Sequence, residues 1–215
     1  MQREAITFVY TYTTKQPRMK KSVLAIFMLL FSAYGFAQND QQFIRPSSIG
    51  FSFVFYDFVT PQRIQASSLS TVLREKQTAS FKEMGAGLSL SYFKGLRNKL
   101  DFAGTLTVAS ADYSLPVSFR EVPADLLIQA DASAQFKMIP DKYFLIPYIT
   151  TGVGANKYGG YFGAFIPVGV GFRLNFFNEA SLFVNAKYHV PVTNETIRGH
   201  FVYGFGIAGI VGEKR

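Results

Sequence analysis

The sequence predicts an all-β protein, an eight-stranded antiparallel up-and-down transmembrane β-barrel. Three observations lead there: a leader that directs export, eight blocks of alternating apolar and polar side chains, and connections that are long and short in turn. Strict alternation marks a strand with one face buried, whereas a helix repeats every ~3.6 residues.

The leader begins at Met19, in MKKSVLAIFMLLFSAYGFAQND, where two lysines precede an apolar run that ends in Gly35-Phe36-Ala37. Residues 19–37 read as a signal peptide cleaved after Ala37. Val23 to Ala37 is only 15 residues, short of the ~20 that a spanning helix needs. Residues 1–18 are expected to be a mis-called extension, 38–46 a periplasmic segment, and 47–212 the barrel. The chain has no Cys, so neither a disulfide framework nor a lipid-attached cysteine is expected.

The net charge of +8 carries little information about partners. Residues 1–37 hold five basic residues and one acid; without them the balance is 17 minus 13, or +4, with no basic cluster. A nucleic-acid partner is therefore not expected. No later segment approaches ~18 consecutive apolar residues, which excludes further helical spans.

The first block sets Ile49, Phe51, Phe53 and Phe55 against Ser48, Gly50, Ser52 and Val54. The second sets Met84, Ala86, Leu88, Leu90 and Tyr92 against Glu83, Gly85, Gly87, Ser89 and Ser91. In the third, Leu100, Phe102, Leu106 and Val108 alternate with Asp101, Ala103, Thr105 and Thr107. The fourth, ADLLIQADASAQFKM from Ala124 to Met138, has the composition of a helix but the period of a strand. Period decides, because a helix would mix Asp131 with the apolar residues.

Tyr143 to Asn156 forms the fifth block, blurred by Ile146 and Pro147. The sixth sets Phe162, Ala164, Ile166, Val168, Val170, Phe172 and Leu174 against Gly163, Gly169, Gly171, Arg173 and Asn175. In the seventh, Leu182, Val184, Ala186 and Tyr188 oppose Ser181, Asn185, Lys187 and His189. The last sets Phe201, Tyr203, Phe205, Ile207 and Val211 against His200, Gly204, Gly206 and Ala208.

Connections at Thr60–Ser80, Tyr113–Pro123 and Val192–Gly199 are long, and those at Gly95–Lys99, Ile139–Lys142 and Phe177–Glu179 short. Only Lys157–Gly160 departs, being short in a long place. Short periplasmic turns and longer external loops give this order from a periplasmic amino terminus. The apolar faces carry bulky Phe, Leu, Ile and Val, and the others Gly, Ser, Thr and Ala with a few charges. Eight strands enclose a space just wide enough for side chains, so the bulky face belongs outside, in lipid. Aromatic residues near block ends, among them Tyr56, Phe58, Tyr92, Phe93, Tyr143 and Phe162, fit interfacial girdles or ordinary strand propensity.

The run PYITTGVGANKYGGYFGAFIPVGVGFRLNF, Pro147 to Phe176, and the last strand HFVYGFGIAG resemble the OmpA-like outer-membrane β-barrel family, loosely over residues 47–212. The resemblance implies insertion by the outer-membrane assembly machinery, which recognises an aromatic-rich last strand. The chain departs from the family in ending on Gly212-Glu213-Lys214-Arg215 and in showing no peptidoglycan-binding domain.

Candidate chemistry centres on inward charges. Asp101, Lys137 and Arg173 are placed toward the periplasmic end, Glu83, Asp125, Lys187 and His189 nearer the outside, and Asp131 between them. Opposite charges in a narrow lumen should pair into a plug, since a lone buried charge costs several kcal/mol; a polar water path is the alternative. Glycine pairs such as Gly152/Gly154 and Gly169/Gly171 are followed by no helix, so they read as room for large inward neighbours and not as a dinucleotide site.

No catalytic residue, cofactor or metal site is expected: the only histidines are His189 and His200, the carboxylates are scattered, and no G-x-S-x-G occurs. The expected protein is a non-enzymatic outer-membrane monomer with a structural or surface-contact role, touching outer-membrane lipid and meeting outside partners through loop 60–80. The alternatives are a lipid A-modifying barrel enzyme, with His189 and His200 near the rim, and a narrow solute channel or secretion-system accessory barrel.

Overall fold

A computed structural model describes residues 44–111, 125–158, 160–176, 179–193 and 196–211. The leader at 19–37, the extension ahead of it, the 113–123 connection and the last four residues lie outside the described residues.

Each of the eight alternating blocks forms a strand. They are β1 Ser48–Asp57, β2 Gly85–Arg97, β3 Leu100–Ala111, β4 Asp125–Lys137, β5 Leu145–Tyr158, β6 Tyr161–Phe176, β7 Ala180–Pro191 and β8 His200–Ile210. Every strand pairs antiparallel with its sequence neighbours, and β1 closes on β8 from Ser48↔Ile210 to Asp57↔Phe201. Closure gives every strand two partners, which removes the exposed edges that an open sheet would carry. The fourth block is thus a strand despite its helix-forming residues, because Asp125 to Gln135 can register against β3 only in extended form.

The long connection after β1 is folded rather than an irregular polar loop. It contains α1 (Val59–Ala66), α2 (Leu69–Arg74) and a 3₁₀ turn at Phe81–Glu83. Asp57 starts α1, its Oδ1 accepting the backbone N–H groups of Val59 at 3.0 Å and Thr60 at 2.8 Å. Ser68 caps α2 by accepting the Thr71 N–H at 3.2 Å. Val72 is fully buried, and Thr60 Oγ1 accepts the Ala79 N–H at 2.8 Å, tying the two ends of the segment together. The 3₁₀ turn closes with a capping box in which Glu83 accepts the Ser80 N–H at 2.8 Å and hydroxyl at 3.0 Å. We call this segment the lid.

At the other end of the barrel, the ladder between β2 and β3 shifts register between Gly95 and Arg97. There the Gly95 N–H donates to the Arg45 carbonyl at 3.2 Å. A Cβ at residue 95 would lie 2.7 Å from both the Arg45 nitrogen and oxygen, so glycine is what allows the segment before β1 to dock.

Candidate functional site: the filled barrel interior

Outside and inside differ as the residue sizes predict. Phe53, Leu90, Val170 and Ile207 are each 54–59% exposed, on four strands around the wall, and the alternate positions are buried. A continuous belt of this size is untenable in water and matched by hydrocarbon. Tyr92, Tyr143 and Phe162 are outward at the rims, whereas Tyr56, Phe58 and Phe93 turn inward and belong to the interior instead of a girdle.

At the end where β1 begins and β8 finishes, four side chains form one ionic cluster. Asp101 on β3 accepts from Lys137 on β4 at 2.6 Å and from Arg173 on β6 at 2.9 Å. Asp141, in the β4–β5 turn, also contacts both cations, Lys137 closely and Arg173 at 3.5 Å. Gln135 accepts from Arg173 at 2.6 Å, and Asn175 donates to the Asp141 carbonyl at 2.9 Å. All four charged side chains are at most 2% exposed. The Arg173 guanidinium lies 5.7 Å from the Phe93 ring and 5.5 Å from Tyr148, and Arg45 lies 4.9 Å from Phe93 on its way to Ser181 at 3.2 Å. Cation–π contacts of this kind compensate part of the lost hydration. Phe93 meets Phe183 edge-on across the lumen at 5.4 Å.

These large rings fit because glycine stands opposite them. A Cβ at Gly171 would lie 2.4 Å from Tyr148, one at Gly154 2.4 Å from Phe165, and one at Gly206 2.8 Å from Phe183. The inward face is thus not uniformly small: it alternates ring against glycine.

The lid end is filled differently, by rings. Phe165 stacks on His189 at 4.3 Å, His189 meets His200 edge-on at 4.8 Å, and His200 lies 4.4 Å from Phe58 at the start of the lid. Tyr56 donates to Gln129 at 2.5 Å beneath them. His200 Nδ1 lies 2.8 Å from the Arg198 carbonyl, which can only accept, so Nδ1 carries the hydrogen. Ile197, Leu127 and Tyr158 complete the layer, each at most 1% exposed.

Between the two ends is a polar cavity of about 30 Å³ lined by Ser52, Ser89, Thr107 and Gln129 with Asp131 and Lys187. That is room for about two waters. Lys187 stands 3.9 Å from Asp131, and Ser133 donates to Asp131 at 3.1 Å.

The eight charges singled out by sequence therefore divide. Asp101, Lys137 and Arg173 come together, and Asp131 and Lys187 form a separate pair. His189 lies in the ring stack, and no ion pair joins it to a carboxylate among the described residues. Glu83 is a correction: it sits in the lid outside the barrel, paired with Arg63 at 2.8 Å, because the strand starts two residues later. Asp125 opens β4, but its side chain lies outside the described residues. Sequence reasoning missed Arg45 and Asp141, which occupy non-strand segments where alternation gives no signal.

The closed sheet and its apolar exterior define a membrane-spanning β-barrel with a filled interior. No family model and no curated protein matches the chain. Among solved structures it is similar to the N-terminal β-barrel domain of Pseudomonas aeruginosa OprF, at 13% identity and TM-score 0.46 over 77% of this chain and 98% of that one. It is also similar to Neisserial surface protein A, at 15% identity and TM-score 0.49 over 77% and 97%. A third likeness is Ail of Yersinia pestis, at 10% identity and TM-score 0.44 over 76% and 95%.

Proposed function

We propose that the protein is a non-enzymatic, non-conducting monomeric barrel of the outer membrane that holds a folded lid at the cell surface in a structural or contact role. The observation that carries this reading is the interior, filled by the Asp101–Lys137–Asp141–Arg173 cluster at one end and by the Phe165–His189–His200–Phe58 stack at the other. Two plugs in series leave a cavity of water size and no path for a solute. A lumen used for transport would instead be lined by solvated groups.

The ring stack also weighs against a lipid-modifying enzyme. A general base needs a substrate proton within hydrogen-bond reach, and both imidazoles are buried between aromatic rings, His200 completely so. Purified protein in planar bilayers is expected to give no steps of the size a general porin gives; steps of that size would overturn the plug. Lipid A from a deletion strain is expected to keep its mass, and a lost or gained acyl chain would restore the enzyme reading.

A further inference from the structure

The ionic end of the barrel holds more positive than negative charge. Besides Lys137 and Arg173, a third cation is buried there: Arg45, 9% exposed, from the segment before β1. Asp101 and Asp141 are both engaged by Lys137 and Arg173, and no ion pair joins Arg45 to a carboxylate among the described residues. Three buried cations thus face two buried carboxylates.

The surplus has a definite atomic address. Arg45 Nη2 donates to Ser181 Oγ at 3.2 Å, whereas Nη1 is buried with no hydrogen-bond partner. A charged donor left unpaired away from water is costly. Burial first, and then Arg173 beside it, pull the Arg45 guanidinium down to about 9, so it keeps its charge at neutral pH. What remains to offset that charge is an anion.

A cavity of about 40 Å³ adjoins this group, at the end where β1 begins and β8 finishes. Arg45, Ser181, Asp141, Asn175, Glu179 and Ile210 are among the residues that line it. It has room for about three waters, which is also the scale of a carboxylate group. Its wall offers two donors side by side. One is the Nη1–H of Arg45; the other is the Ser181 hydroxyl, whose oxygen accepts from Nη2 and whose own hydrogen is left to donate. The acids of the wall do not meet this need: Asp141 is held by Lys137 and Arg173, and Glu179 is exposed at the rim with no ion pair to Arg45.

We infer that this cavity is a binding site for a carboxylate group, received by Arg45 Nη1 and Ser181 Oγ. A carboxylate sets two oxygens against two donors and brings the buried charges to three against three. A chloride ion answers the charge but not the paired donors. The inference goes beyond the proposed function and does not depend on whether the barrel conducts. Two sources can supply the group: a dissolved carboxylate at that face, or Glu213 of the chain itself, three residues after Ile210 in the sequence.

The test uses the full chain, labelled with ¹⁵N at arginine and folded in detergent micelles, with circular dichroism checking that the barrel persists. The Arg45 side-chain signals are assigned by their loss in Arg45→Lys, which keeps the charge. Sodium acetate is titrated against sodium chloride at equal ionic strength, in the unaltered protein and in Glu213→Gln. A saturable shift of the Arg45 Nη signals with acetate is expected, and none with chloride. Ser181→Ala is expected to weaken acetate binding about fivefold, the effect of one hydrogen bond.

Saturation in the unaltered protein would assign the site to a dissolved carboxylate. Saturation only in Glu213→Gln would show that the chain's own carboxylate fills it; either result supports the site. The absence of a saturable shift in both proteins would overturn it, as would an equal response to chloride or an acetate affinity unchanged by Ser181→Ala.

Discussion

Asp101 is the residue on which the ionic cluster turns, because it is shared by Lys137 and Arg173 and is itself fully buried. Replacing it with Ala leaves two cations facing Asp141 alone. Removing one partner of a buried ion pair typically destabilises by about 3–5 kcal/mol, and Asp101→Ala is expected to fall in that range in denaturant unfolding of the reconstituted barrel. Replacement of the whole cluster by apolar residues of similar volume should be milder, since it leaves no charge without a partner. Gly171 gives a second test at this scale. Gly171→Ala brings a methyl group within 2.4 Å of Tyr148, whose ring is held under Arg173, so overpacking of about 1–3 kcal/mol is expected in the same assay. These residue pairs also explain what was legible in the sequence and what was not. Gly171, Gly154 and Gly206 could be read as spaces for larger neighbours, but which neighbour fills each space depends on register, and Tyr148, Phe165 and Phe183 sit where size alone would have placed something small.

The strands were the most legible elements, because one face in lipid and one in a narrow interior impose opposite preferences on successive residues. The helices of the lid are less legible. Its apolar residues follow no barrel period, yet its start carries a helix signal in Asp57 followed by Pro61 in the first turn, and α2 carries another in Ser68. Asp57→Ala is expected to loosen α1 by about 0.5–2 kcal/mol, seen as faster amide exchange at Val59 and Thr60, with the strands unaffected. The closing turn should respond to acid. The Ser80 N–H, the Ser80 hydroxyl and Arg63 hold the Glu83 carboxyl below its ordinary value of 4.5. A depressed carboxyl contributes stability that is present above the unfolded pKa and is lost as pH falls through the folded one. Exchange at Ser80 and Glu83 is therefore expected to stay slow above about pH 4.5 and to accelerate below it, in a way that Glu83→Gln abolishes.

For the molecule as a whole, the proposed non-conducting reading has the two filled ends act in series. Opening one leaves the other, so apolar-to-small changes at the lid end (Phe58→Ala with His200→Ala) should not by themselves permit conductance. Combined with loss of the ionic cluster through Asp101→Asn and Arg173→Met, they are expected to give measurable current in planar bilayers. Current from either set alone would show that one end never sealed. The architecture itself is legible in the sequence, since the number of blocks and the size difference between faces leave few alternatives. The division of the interior into an ionic end and an aromatic end is not, because Arg45, Asp141, Phe58 and Ile197 all come from segments outside the strands.

The seam between β1 and β8 has its own consequence. Its ladder joins Ser48 to Ile210, partners at nearly opposite limits of the sheet's chain length. Closing so long a stretch of polypeptide is slow, and until it happens two rows of amide groups face the acyl chains with nothing to bind. Assembly should therefore proceed with little tolerance for partial products: a chain lacking the eleven residues of β8 would forfeit two ladders at once and have no stable place in the bilayer.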